Sequence, residues 1–140
     1  MKTPYDSGLR VRKQELDDLR RELAGLYSRQ DELEAALMGL EAEVRAEADV
    51  ATAQPFANFV SYIGRQSAAK SQVRGQIDTV VNEIERMQEV IAQAFADFKT
   101  LDIAAERFIE AERERLAKLE QAQADEAALM GHYRNSDEAA

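Results

Sequence analysis

Residues 9–44 read LRVRKQELDDLRRELAGLYSRQDELEAALMGLEAEV. Within them Leu9, Leu16, Leu23, Gln30, Leu37 and Val44 recur every seven positions, and Arg12, Leu19, Leu26, Leu33 and Leu40 fill the companion position. Continued outward, the two series take in Tyr5, Glu47 and Ala51. An apolar heptad sustained over about six repeats is the sequence requirement of a coiled coil, whose narrow seam must face another helix. Upstream, Thr3 offers an N-cap, Pro4 suits the first helical position and Asp6 follows three residues on. The helix is therefore predicted to begin at the chain start, despite Gly8. Downstream, Pro55 lacks a backbone donor and disfavours helical geometry at Gln54, which predicts a stop or kink near Thr52 to Gln54.

A second seam follows. Ile77, Val80, Ile84, Met87, Ile91, Ala94, Phe98, Leu101, Ala105 and Phe108 keep helical spacing, weaken at Glu112 and Arg115, and resume at Leu119, Ala122 and Leu129. Between the seams, Phe56, Phe59, Val60 and Ile63 share one face with Tyr62 beside them, and apolar residues then thin out from Gly64 to Gly75. Two reversal points compete. A turn at Pro55 sets residue 9 opposite residue 101 and leaves about thirty residues of the second helix without a partner. A turn near Gly64 to Gln66 sets residue 9 opposite about residue 120 and nearly equalises the arms.

The second is the preferred expectation. It gives an all-α chain, one antiparallel two-helix coiled-coil hairpin with a short helical tip: arm one about 4–52, tip about 53–67, arm two about 68–131 and a frayed tail 132–140 after Gly131. A helix running unbroken from Pro55 is the alternative, because the heptad phase passes without interruption through Phe56, Ile63, Lys70 and Ile77.

Composition agrees with so thin a core. Of 140 residues, 32% are charged and 6% aromatic, and 24 are alanine, which favours helix but buries little area. Catalysis has few candidates. The chain has one histidine, His132, and no cysteine, so neither a His-based nucleophile system nor a two-histidine metal site can form within it. Phosphate-cradling glycine motifs do not occur. Carboxylates such as Asp17, Asp18, Glu110, Glu112 and Glu114 alternate with arginines, the pattern of a solvated helix face. No enzymatic activity and no cofactor is expected.

With Lys+Arg 18 against Asp+Glu 27, the net charge of −9 argues against nucleic acid and anionic membrane surfaces as partners. No secretory signal and no apolar run long enough to span a bilayer is read, so the expectation is a cytoplasmic protein without membrane insertion. The charge is uneven. Residues 50–77 carry Arg65, Lys70 and Arg74 and no acid, whereas the flanking segments carry twelve and fifteen carboxylates. Together with Phe56, Phe59 and Tyr62, this basic stretch is the first candidate contact surface, since aromatic and arginine side chains dominate interface energetics. Phe56 and Phe59 could equally fold back to close the hairpin end. The seam polars Gln30, Glu47, Lys70, Glu112, Arg115 and Glu126 cost stability but can fix register, and their clustering in the distal part of arm two implies a looser terminal end.

The Leu9 to Val44 arm, the central tip and the long second arm ending in Arg113-Glu114-Arg115-Leu116-Ala117-Lys118-Leu119-Glu120 resemble the FliJ family of flagellar type III export proteins, related to the stalk proteins of injectisomes. The resemblance implies a non-enzymatic coupling stalk at the flagellar base, cytoplasmic and peripheral to the inner membrane. It also implies as partners the hexameric export ATPase, the cytoplasmic domain of the export gate and export chaperones. On that footing the terminal end (Arg12, Glu112, Arg115, Lys118, Glu126) would enter the ATPase ring, and the tip (Phe56, Phe59, Tyr62, Arg65, Lys70, Arg74) would face the gate. The alternative is a scaffolding coiled coil that oligomerises through the same seams. A hairpin predicts a monomer; a scaffold predicts pairing between chains.

Overall fold

A computed structural model describes residues 1–51 and 56–139, with the side chains of 1–49 and 60–139. Two helices, α1 (Asp6–Ala51) and α2 (Phe56–Ala139), pack against each other as an all-α antiparallel hairpin, and the described residues contain no strand. The expected fold class is thus the one the chain adopts.

The start of α1 is built as its sequence implies. The Thr3 hydroxyl donates to Asp6 Oδ1 at 2.6 Å, the Thr3 amide donates to Asp6 Oδ2 at 3.0 Å, and the Tyr5 amide donates to Thr3 Oγ1 at 3.2 Å. This reciprocal capping box satisfies amides that the first turn leaves without helical partners. Along α1 the heptad positions 9, 12, 16, 19, 23, 26, 30, 33, 37, 40 and 44 are withdrawn from solvent, with 6, 8, 17, 41 and 48 beside them, while Glu47 of the same series is exposed.

By contacts the chain forms two compact units: Gln14–Phe95, and Met1–Lys13 with Ala96–Ala140. In the first, Leu33, Val80 and Ile84 are buried, with Leu23, Leu26, Val73 and Ile77 packed around them. Tyr27 meets Gln88 and Glu41 meets Arg74, so fourteen residues forward on α1 correspond to fourteen backward on α2, an antiparallel register without slippage. In the second unit, Gly8 lies beside Leu101 and Arg12 beside Asp97, again in step. Gly8 permits this approach: a Cβ there would stand 3.2 Å from Leu101 Cδ1.

These pairings correct the preferred reversal point. Gly8 lies beside Leu101, within one position of the pairing of residue 9 with residue 101 expected of a turn at Pro55, and far from a pairing of residue 9 with residue 120. α2 is continuous through Gly64 to Ala68, where the boundary between tip and arm two was expected. The glycines there do not break it, because Gly64 and Gly75 keep helical backbone and neither has positive φ. Gly131 likewise fails to terminate the helix, and the expected frayed tail is helical as far as Ala139. The expected stop at Thr52 to Gln54 and the role of Pro55 lie outside the described residues.

Unequal arms follow from the early reversal. α1 has 46 residues and α2 has 84, and from residue 113 to 130 every residue of α2 is exposed. The second seam is therefore withdrawn from solvent from Ile77 to Glu112, while Arg115, Leu119, Ala122 and Leu129 are not.

Candidate partner-binding surfaces

The two surfaces expected from sequence belong to different units. In the unit Gln14–Phe95, the candidate residues sit on the first turns of α2. The side chains of Phe56 and Phe59 lie outside the described residues. Tyr62 is partly buried, and its phenol is shifted above the usual range, first by burial and then by the carboxylates of Glu47 and Glu43, with Arg65 acting the other way. Its hydroxyl therefore stands within the field of two α1 acids.

Arg65 is exposed, whereas Lys70 is partly buried along a groove of about 230 Å³ shared with Val44, Ile63, Gln66, Ser67 and Arg74. Arg74 reaches across to Glu41 at 3.7 Å. A stretch that contains no acid along the chain thus faces acids across the helix pair: Glu41 meets Arg74, and Glu43 and Glu47 approach Tyr62. The basic island read from the linear sequence is in part neutralised in space. Sequence reasoning also missed Gln66, whose Oε1 is buried without a hydrogen-bond partner. Continuing the seam upstream from Ile77 and Val73 through Lys70 would have found it.

The other unit holds the terminal candidates. Arg12 occupies a seam position and pairs with Asp97 at 3.8 Å. Glu112 and Arg115 form a two-pronged contact one helical turn apart: Arg115 Nη2 and Nε donate to Glu112 Oε2 at 2.9 and 3.2 Å. The guanidinium holds the Glu112 carboxyl below the usual carboxylate range, and the carboxylate raises Arg115 in turn. This pair is satisfied on one helix, so it does not require a partner. Lys118 and Glu126 are exposed.

What the seam phase did not isolate is an apolar stripe in the same region. Leu116, Leu119, Met130 and Tyr133 are 40%, 48%, 58% and 61% exposed, and Leu129 flanks them at 53%. Their spacing of three, eleven and three residues lies close to whole helical turns, which places the first four along one side of α2. Leu119 and Leu129 belong to the expected seam, whereas Leu116, Met130 and Tyr133 stand outside it.

Such a surface can bind another protein. Among the described residues, no group of three His, Cys, Asp or Glu side chains is placed to hold a metal ion, and no helix is long and apolar enough to cross a membrane. Compared with known families, residues 1–137 match the model described as Flagellar FliJ protein. No curated protein and no solved structure matches the chain.

Proposed function

The chain belongs to the FliJ family of flagellar export proteins, and on that premise we propose that it is a non-enzymatic stalk coupling the export ATPase ring to the export gate. It associates with the flagellar export apparatus as a helical coiled-coil component. In the proposed arrangement it works in the cytoplasm, peripheral to the inner membrane at the flagellar base, and helps cycle export chaperones.

The observation that carries this reading is the unpartnered stretch of α2 after Glu112. A helix that extends beyond its partner with four aliphatic side chains and a tyrosine on its surface has apolar area to bury. The ATPase ring is its proposed receptor, engaged through Leu116, Leu119, Leu129, Met130 and Tyr133, with Arg12, Glu112, Arg115, Lys118 and Glu126 around them. The first turns of α2, with Phe56, Phe59, Tyr62, Arg65, Lys70 and Arg74, are proposed to engage the gate. Because Arg74 is paired with Glu41, Arg65 and Lys70 carry most of the charge offered there.

The test is co-purification of the full chain with the export ATPase and, separately, with the soluble gate domain. Leu116→Ser with Leu119→Ser should abolish ATPase capture and spare the gate. Phe59→Ala with Tyr62→Ala should do the reverse. If all variants retain both partners, the two-ended assignment fails; if neither partner is captured by the unaltered chain, the coupling role fails with it.

A further inference from the structure

A groove between α1 and α2, distant in sequence from both proposed ends, lies within the unit Gln14–Phe95. It has a volume of about 520 Å³, and its apolar floor is formed by Leu26, Met87 and Val90, the last 48% exposed. Gly25 lines the groove, and a Cβ built there would meet nothing within 4 Å. Glycine in a helix interior costs about 0.5–1 kcal/mol relative to alanine. Unlike Gly8, Gly25 makes no close helix approach in return for that cost.

The rim is charged. Glu22 on α1 and Glu83 on α2 flank the floor with Arg86 beside them, and all three are exposed with neither ion pair nor hydrogen bond among the described residues. The surrounding field has the same sign as the two carboxylates, since residues 14–95 carry fifteen acidic against eight basic side chains. A pair of packed helices presents a groove into which a third helix can lay its apolar face, with anchors spaced three and four residues apart. Rim carboxylates would then select basic flanks and repel acidic ones.

We propose that the groove at Gly25 docks an amphipathic helix of a partner protein that carries aliphatic anchors along one face and Lys or Arg beside them. A second copy of this chain is a poor occupant. Its own exposed apolar face, residues 116–133, carries Glu120, Asp125 and Glu126 against Lys118, so like charges would meet at the rim. The proposal does not depend on the coupling role, because neither proposed end contributes to the groove.

The probe is a synthetic helical peptide of about eighteen residues with leucines on one face and flanking lysines, titrated into the full chain with methyl groups labelled for NMR. Methyl shifts should centre on Leu26, Met87 and Val90, and a peptide with glutamates in place of the lysines should bind at least about tenfold more weakly. Gly25→Leu should fill the groove, keep or raise the melting temperature and weaken binding by about tenfold or more, with Gly25→Ala intermediate. Glu22→Lys with Glu83→Lys should reverse the preference between the peptides. Equal affinity for both peptides, shifts centred on residues 116–133, or unchanged affinity in a folded Gly25→Leu variant would each overturn the proposal. So would a dimer of the chain that closes the groove in the absence of peptide.

Discussion

Thr3 and Asp6 close the N-terminal turn of α1 with one hydroxyl and one carboxylate. Because Asp6 accepts hydrogen bonds from the Thr3 hydroxyl and amide, its carboxyl is held below the ordinary value of 3.8. A carboxyl whose folded value is depressed contributes stability that is fully present above its unfolded value and lost as pH falls through the lower, folded one. The cap should therefore be intact at neutral pH and open only below the ordinary carboxylate range. An NMR titration should show the Thr3 amide shift following the Asp6 carboxyl with the same low midpoint. Removing the hydroxyl by Thr3→Ala should cost about 1 kcal/mol, visible as faster amide exchange over the first turn. The glycines give a second prediction at this scale. Gly39 has open space around it, so Gly39→Ala should stabilise the protein by about 0.5–1 kcal/mol. Gly8→Ala should gain less, because its Cβ must displace the Leu101 methyl. Urea denaturation of the two variants checks the order.

A helix holds its partner through few residues here, and that makes the two halves of α2 respond differently to the same change. Leu33 is 4% exposed against Val80 and Ile84, so Leu33→Ala should cost about 2–5 kcal/mol. Leu119→Ala, on a side chain that is 48% exposed, should stay within about 0.5 kcal/mol. Helix without tertiary contact relies on propensity and on weak solvent-screened pairs such as Glu112–Arg115. Amides of residues 116–139 should accordingly exchange far faster than those of residues 77–105, and equal protection would show that α2 has a partner beyond residue 112. The heptad of residues 9–44 was fully legible because seven-residue spacing survives any placement of the partner. The reversal was not. Arm-length balance pointed to Gly64, yet the unbroken phase from Phe56 to Ile77 already carried the continuous helix, and a glycine with helical backbone has no means of stopping one. The binding surfaces were legible only in part. Tyr62 and Arg74 stood out as aromatic and basic residues, but a linear charge count could not place Glu41, Glu43 and Glu47 across from them.

At the scale of the molecule, a hairpin and a scaffold differ in whether the seams close within one chain or between chains. Coiled-coil seams exchanged between chains would bury the same leucines, so burial alone does not distinguish them; mass does. Sedimentation equilibrium at micromolar concentration and about 0.15 M salt should return the mass of one chain, since each carries a net charge of −9 and two such chains repel over about 8 Å under those conditions. The exposed face of residues 116–133 is an apolar surface of the described residues that could bring copies together. Truncation after Glu112 resolves the origin of any dimer. If the dimer disappears, the hairpin stands, and the distal face is a self-association surface that would compete with the proposed ATPase contact. If it persists, α1 of one chain pairs with α2 of another, and the single-chain hairpin fails. The contacts argue for the first: Tyr27–Gln88 and Glu41–Arg74 pair within one unit, and Gly8–Leu101 and Arg12–Asp97 within the other, all inside a single chain. A monomeric mass with Leu33→Ala destabilising independently of protein concentration would establish that the seam closes within the chain.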